Sequence, residues 1–151
     1  MTAADGTGQD PLAFQVLNEV GIIAQLSGTR AERLLAPDLT LPQFVVLNRF
    51  HRLGGESSLV RLAGAMQVTK GAMTNTVTRL QAKGLVTVRP DPLDGRGKLV
   101  AITPDGTAAR NRAIASLGGG LAGLAAAIPA GELEAMLAPL RRLRSWLDTN
   151  R

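Results

Sequence analysis

Between Leu59 and Leu85 the chain reads LVRLAGAMQVTKGAMTNTVTRLQAKGL, and few folds accommodate this pattern. Apolar residues at Leu59, Leu62, Ala63 and Met66 make one short amphipathic helix, and Met73, Val77 and Leu80 make a second. A tight turn at Gln67 and Val68 is expected between them. Thr69 is placed as N-cap of the second helix because its hydroxyl accepts from an early amide, and Gly84 stands where a left-handed residue closes a helix. Ala63 is small where two helices cross. The result is a helix-turn-helix with Gln67 at the position that usually holds glycine, a choice costing about 1 kcal/mol if that residue is left-handed.

The outward face of the second helix carries the chemistry. With Met73, Val77 and Leu80 on one stripe, Gly71, Thr74, Asn75, Thr78 and Arg79 lie away from it; Thr69 and Lys70 at the helix start join them as expected DNA contacts, and no acid occurs between Thr69 and Lys83. Short hydrogen-bonding side chains keep the helix slim enough for a DNA major groove. There asparagine pairs with adenine, arginine forks onto guanine, and threonine meets a base edge or a thymine methyl. The runs Leu85 to Pro90 and Lys98 to Thr103 then read as two strands, joined by a long tip spanning residues 91 to 97 that carries Arg96. Arg96, between Gly95 and Gly97, has the backbone freedom to enter a minor groove, with Asp94 placed to hold its side chain extended.

These residues together resemble the MarR family of bacterial transcriptional regulators. The likeness runs through Leu62 and Ala63, the GAMTNTVTRL run from Gly71 to Leu80, Lys83-Gly84-Leu85-Val86, Asp94-x-Arg96, and Ile102-Thr103-Pro104-x-Gly106. The resemblance implies a homodimer that sets two recognition helices in successive major grooves of a pseudo-palindromic operator. It also implies that Arg96 is the minor-groove residue of the wing and Asp94 its support. The chain departs from the pattern at Gln67, and at Gly95 and Gly97, where the family often has further basic residues.

Charge is distributed to match. Residues 58–103 hold seven basic and two acidic side chains, whereas residues 1–57 hold four and six, so the excess sits in the proposed reading head. Counterion release from DNA there makes binding strongly salt-dependent. With 45% apolar and only 3% aromatic residues, the helices must pack through Leu, Val, Ile and Ala. No cysteine is present, which excludes disulfides and a thiol sensor, and no run is long enough to span a membrane. The first ten residues carry no basic and apolar leader pattern, so no signal peptide is expected and the protein is placed in the cytoplasm.

The flanks read as helices. Asp10 and Pro11 are expected as N-cap and N1 of a helix running through Phe14, Leu17, Val20, Ile23 and Leu26 to about Ala36, where Pro37 stops it. Thr40 and Gln43 have capping-box spacing for a second helix that Gly54 and Gly55 close. Thr103 and Pro104 start another that runs to about Ala127, its Gly118-Gly119-Gly120 marking either a bend or a close helix approach. A last helix after Pro129 and Gly131 aligns Leu133, Leu137, Leu140, Leu143 and Leu147, with Pro139 interrupting one backbone bond. These flanks hold more apolar surface than a small reading head covers, which points to a partner subunit.

The expectation is therefore a mainly α single domain over residues 1–151: a winged helix-turn-helix lobe at about 40–103, and dimerisation helices at about 11–36 and 104–149. The expected partners are double-stranded DNA, a second copy, and a small, often phenolic or aromatic, anion that releases DNA in many members of the resembling family; no cofactor is expected. A winged helix that contacts only protein, or a constitutive regulator without effector, are the alternatives. An enzyme is disfavoured, because His51 is the single histidine, has no nucleophile or metal-ligating companion, and no phosphate-binding glycine motif occurs.

Overall fold

A computed structural model describes residues 10–151; most of the N-terminal stretch read for a leader lies outside them. The chain is mainly helical, in the order α1 (Leu12–Leu35), α2 (Leu41–Leu53), β1 (Glu56–Ser58), α3 (Leu59–Met66), α4 (Lys70–Ala82), β2 (Val86–Asp91), β3 (Asp94–Ile102), α5 (Pro104–Gly120), α6 (Ala122–Ala127) and α7 (Ala130–Thr149). The strands form one antiparallel sheet in the order β1-β3-β2. The small β1 is absent from the sequence reading: Glu56-Ser57-Ser58 is too short and polar to signal a strand, and it exists because its backbone pairs with Leu99 to Ala101.

The core is centred on the lobe and extends to Leu35 of α1 and to Ala109 and Ala113 of α5. Leu47 and Val46 of α2, Leu62 of α3, Leu80 of α4 and Val100 of β3 are fully buried. Around them pack Phe44, Phe50, Ala63, Met73, Val77 and Val86. The aliphatic stripes on α3 and α4 thus face inward as their spacing requires. α2 opens with the expected capping box, in which the Gln43 amide donates to Thr40 Oγ1 and the Thr40 amide to Gln43 Oε1, each at 3.3 Å.

Several boundaries differ from expectation. Pro11, not Asp10, is the N-cap residue of α1, and it has no side-chain cap; Gln15 Nε2 instead donates to the Asp10 carbonyl at 2.6 Å. The helix after the wing is broken at Leu121 into α5 and α6. Both readings of the glycine run hold there, for α5 ends at Gly120, and a Cβ on Gly120 would overlap the Leu34 side chain. Arg30 Nη2 donates to the Gly120 carbonyl and thereby caps the broken end from α1. Gly131 belongs to α7 rather than to the turn before it.

α1 and α7 leave their apolar faces open. Leu12, Phe14, Ile23 and Leu26 of α1 are exposed, as are Leu137, Leu140 and Trp146 of α7, and no residue of α7 is buried.

Candidate nucleic-acid interface

The reading surface is built on α4, and α4 is held at both ends. At its start Thr69 Oγ1 accepts from the Ala72 amide at 3.1 Å. At its end Gly84, with φ of 72°, lets the Leu85 amide reach back to the Leu80 carbonyl at 3.0 Å and the Gly84 amide to Gln81 at 2.9 Å, the paired bonds of a Schellman closure. Thr69→Ala removes the N-cap and is expected to destabilise the protein by about 1 kcal/mol. Thermal unfolding checks this, and an unchanged midpoint would contradict the cap's role.

The turn before α4 follows the sequence expectation, strain included. Gln67 is left-handed (φ 53°, ψ 41°), and its side chain offsets part of the cost by donating from Nε2 to the Gly64 carbonyl at 2.7 Å.

Lys70, Gly71, Thr74, Asn75, Thr78 and Arg79 are all exposed, while Met73, Val77 and Leu80 are buried. Arg79 Nε donates to Asn75 Oδ1 at 3.3 Å, one helical turn apart. This bond aligns the guanidinium and leaves its Nη pair and the Asn75 amide NH2 facing outward as donors. The Thr74 hydroxyl donates to the Lys70 carbonyl at 2.8 Å, which occupies its proton and fixes its rotamer.

The wing differs from the expected long loop. Only Pro92 and Leu93 separate β2 from β3, and Asp91 pairs with Asp94. Pro90 pairs with Lys98, so Gly95, Arg96 and Gly97 bulge from the hairpin without cross-strand partners. The glycine-flanked arginine is thus presented by a bulge. Asp94 supports it through the backbone: its Oδ1 accepts from the Arg96 amide at 3.1 Å, rather than holding the guanidinium as expected. Arg89 of β2 forks onto Glu56 of β1 at 2.9 and 2.6 Å, reaching across the central strand. That bond holds the Glu56 carboxyl below its ordinary pKa and raises Arg89, although both groups are exposed.

Wing and helix meet around one cleft of about 320 Å3, whose charged lining is Lys70 of α4 with Asp91, Asp94, Arg96 and Lys98 of the wing. Asn75, Thr78 and Arg79 lie farther along α4, outside that cleft. Lys98 was not singled out from the sequence; its only signal is its charge beside the wing motif. Leu93 at the tip is almost fully exposed.

Helix-turn-helix, three-stranded sheet and projecting hairpin define a winged helix-turn-helix DNA-binding protein. A family model described as "MarR family" matches residues 38–97. The multiple antibiotic resistance protein MarR of Salmonella typhimurium is 36% identical over 100 residues, covering 63% of this chain and 69% of that protein. Among solved structures, a cysteine-to-serine mutant of MarR from Escherichia coli complexed with operator DNA aligns with a TM-score of 0.66 at 28% identity, covering 87% of this chain and 94% of the other. BpsR of Bordetella bronchiseptica, whose DNA binding is regulated by 6-hydroxynicotinic acid, aligns with a TM-score of 0.62 at 29% identity, covering 83% and 98% of the two chains. The chain belongs to the MarR family of transcriptional regulators.

Proposed function

We propose that the protein is a cytoplasmic, homodimeric repressor, one domain per chain, that reads a pseudo-palindromic operator and leaves it when a small aromatic anion binds. The observation that carries this reading is the acid-free, low-profile face of α4, continuous through Lys70 with the basic bulge of the wing. Asn75 and Arg79 read base edges in the major groove; Thr74 and Thr78 meet bases or sugar edges beside them. Thr69, Lys70 and the close backbone at Gly71 meet phosphates, and Arg96 enters the minor groove. The open apolar faces of α1 and α7, and an apolar hollow of about 990 Å3 between α1 and α5–α6, are where a second copy packs.

The effector site in this reading is a pocket of about 290 Å3 where the end of α1, the end of α4 and the middle of α5 meet. Leu34, Leu35, Leu39 and Leu85 offer apolar walls for a ring, and Lys83 and Arg112 offer charge for a carboxylate. Lys83 is the C-cap of α4, and its Nζ donates to the Asp38 carbonyl at 2.7 Å and to the buried Gln43 Oε1 at 2.9 Å. An anion that draws Lys83 from these acceptors shifts the end of the recognition helix and so the spacing of two such helices in a dimer. The test is to titrate the protein–DNA complex with aromatic carboxylates. Release from the wild type at concentrations at least tenfold lower than from Arg112→Ala is expected; equal release from both places the effector elsewhere.

A further inference from the structure

A second basic cleft lies away from the wing cleft and from the effector pocket. Arg49 and Phe50 of α2, its C-cap Gly54, the β1 residues Glu56 and Ser57, and Arg61 of α3 line a hollow of about 280 Å3. Its single carboxylate is already engaged, because Glu56 accepts both forks of Arg89. Among the described residues the ion pairs are Arg89–Glu56 and Arg151–Asp148, so neither Arg49 nor Arg61 has one. Arg49 is partly buried, and Arg52, Arg61 and Arg151 all raise the positive potential around it, opposed by Asp148 at the end of α7. Burial and these like charges together hold its guanidinium below its ordinary pKa.

Two guanidiniums that wall one small hollow, neither of them ion-paired, repel each other. A guanidinium fork matches the tetrahedral oxygens of phosphate better than an ammonium does, and the Ser57 hydroxyl adds a neutral donor on the same wall. We propose that the Arg49–Arg61 cleft binds a phosphate-type oxyanion, supplied either by the DNA backbone flanking the operator or by a free ion. In the first case the cleft extends the footprint beyond α4 and the wing. In the second it is a stabilising ion site, independent of the reading of α4.

Thermal unfolding in sodium phosphate against sodium chloride at matched ionic strength tests the site without DNA. At about ten times the dissociation constant, phosphate is expected to raise the wild-type midpoint by about 3 °C. Arg61→Gln, an exposed change on α3, and the double variant Arg49→Met/Arg61→Gln should lose that rise, and the double variant should be as stable as wild type or more so in chloride. Circular dichroism confirms that each variant is folded, and Arg61→Gln alone keeps the test decisive if the double variant is not. Titrating a duplex at several salt concentrations separates the sources. A slope of log K against log salt reduced by about two in the double variant assigns the cleft to backbone phosphates. An unchanged slope with a lost phosphate effect assigns it to a free ion. Equal phosphate stabilisation of wild type and variants, or no phosphate stabilisation with an unchanged slope, overturns the proposal.

Discussion

Gly106→Ala lowers the stability of the protein by about 3 kcal/mol, the largest folding effect expected of any single methyl added here. Gly106 is buried in the first turn of α5, and a Cβ there would overlap the Leu85 carbonyl oxygen and stand 2.7 Å from Ile102 Cγ1. The backbone oxygen cannot rotate away as a side chain would. It also accepts from the Thr103 amide at 3.1 Å, while the Thr103 hydroxyl donates to the Gly84 carbonyl at 2.7 Å and accepts from the Gly106 amide at 3.0 Å. This knot ties the end of the recognition helix to the start of α5, so a shift at Gly106 reaches α4 directly. Gly118→Ala is the control, since nothing lies within 4 Å of its added methyl and alanine is the better helix former. A midpoint lower by about 6–12 °C for Gly106→Ala, with little loss for Gly118→Ala, is the expected outcome. Equal midpoints would show that the Leu85 carbonyl is free to move.

Arg79→Ala is expected to weaken operator binding by about 1–3 kcal/mol and to relax the base preference. Removing the guanidinium also releases Asn75 Oδ1 from its 3.3 Å bond, so Asn75→Ala and the double variant should be non-additive. Both side chains are exposed, so folding should be unaffected. The measurement is the ratio of affinities for operator and random duplex. A parallel loss on both sequences would remove Asn75 and Arg79 from base reading and leave them phosphate contacts.

The helix-turn-helix was legible because three independent signals coincide: the 3.6-residue stripes, Thr69 before α4, and Gly84 after it. The acid-free face of α4 was legible for the same reason, since the stripe that must be buried defines what remains outside. What escaped notice is held by long-range pairing. β1 has no strand character of its own and is recruited by the backbone of β3. The register jump from Asp91–Asp94 to Pro90–Lys98 likewise depends on cross-strand bonds, so seven residues expected as a loop became a two-residue turn and a bulge. The same limit applies to Asp94: its spacing to Arg96 is visible in the chain, but whether it meets the amide or the guanidinium depends on the bulge. The Arg49–Arg61 cleft joins residues from two helices and a strand, and nothing local in the chain brings them together.

Operator recognition by a dimer is what the proposed function requires. Fluorescence anisotropy of the purified protein against DNA from upstream of its own gene, with a random duplex as control and at two salt concentrations, measures this directly. The account predicts selective binding at two chains per site, with affinity falling by orders of magnitude as salt rises from about 50 to 200 mM. Absence of binding to either duplex at low salt would contradict it.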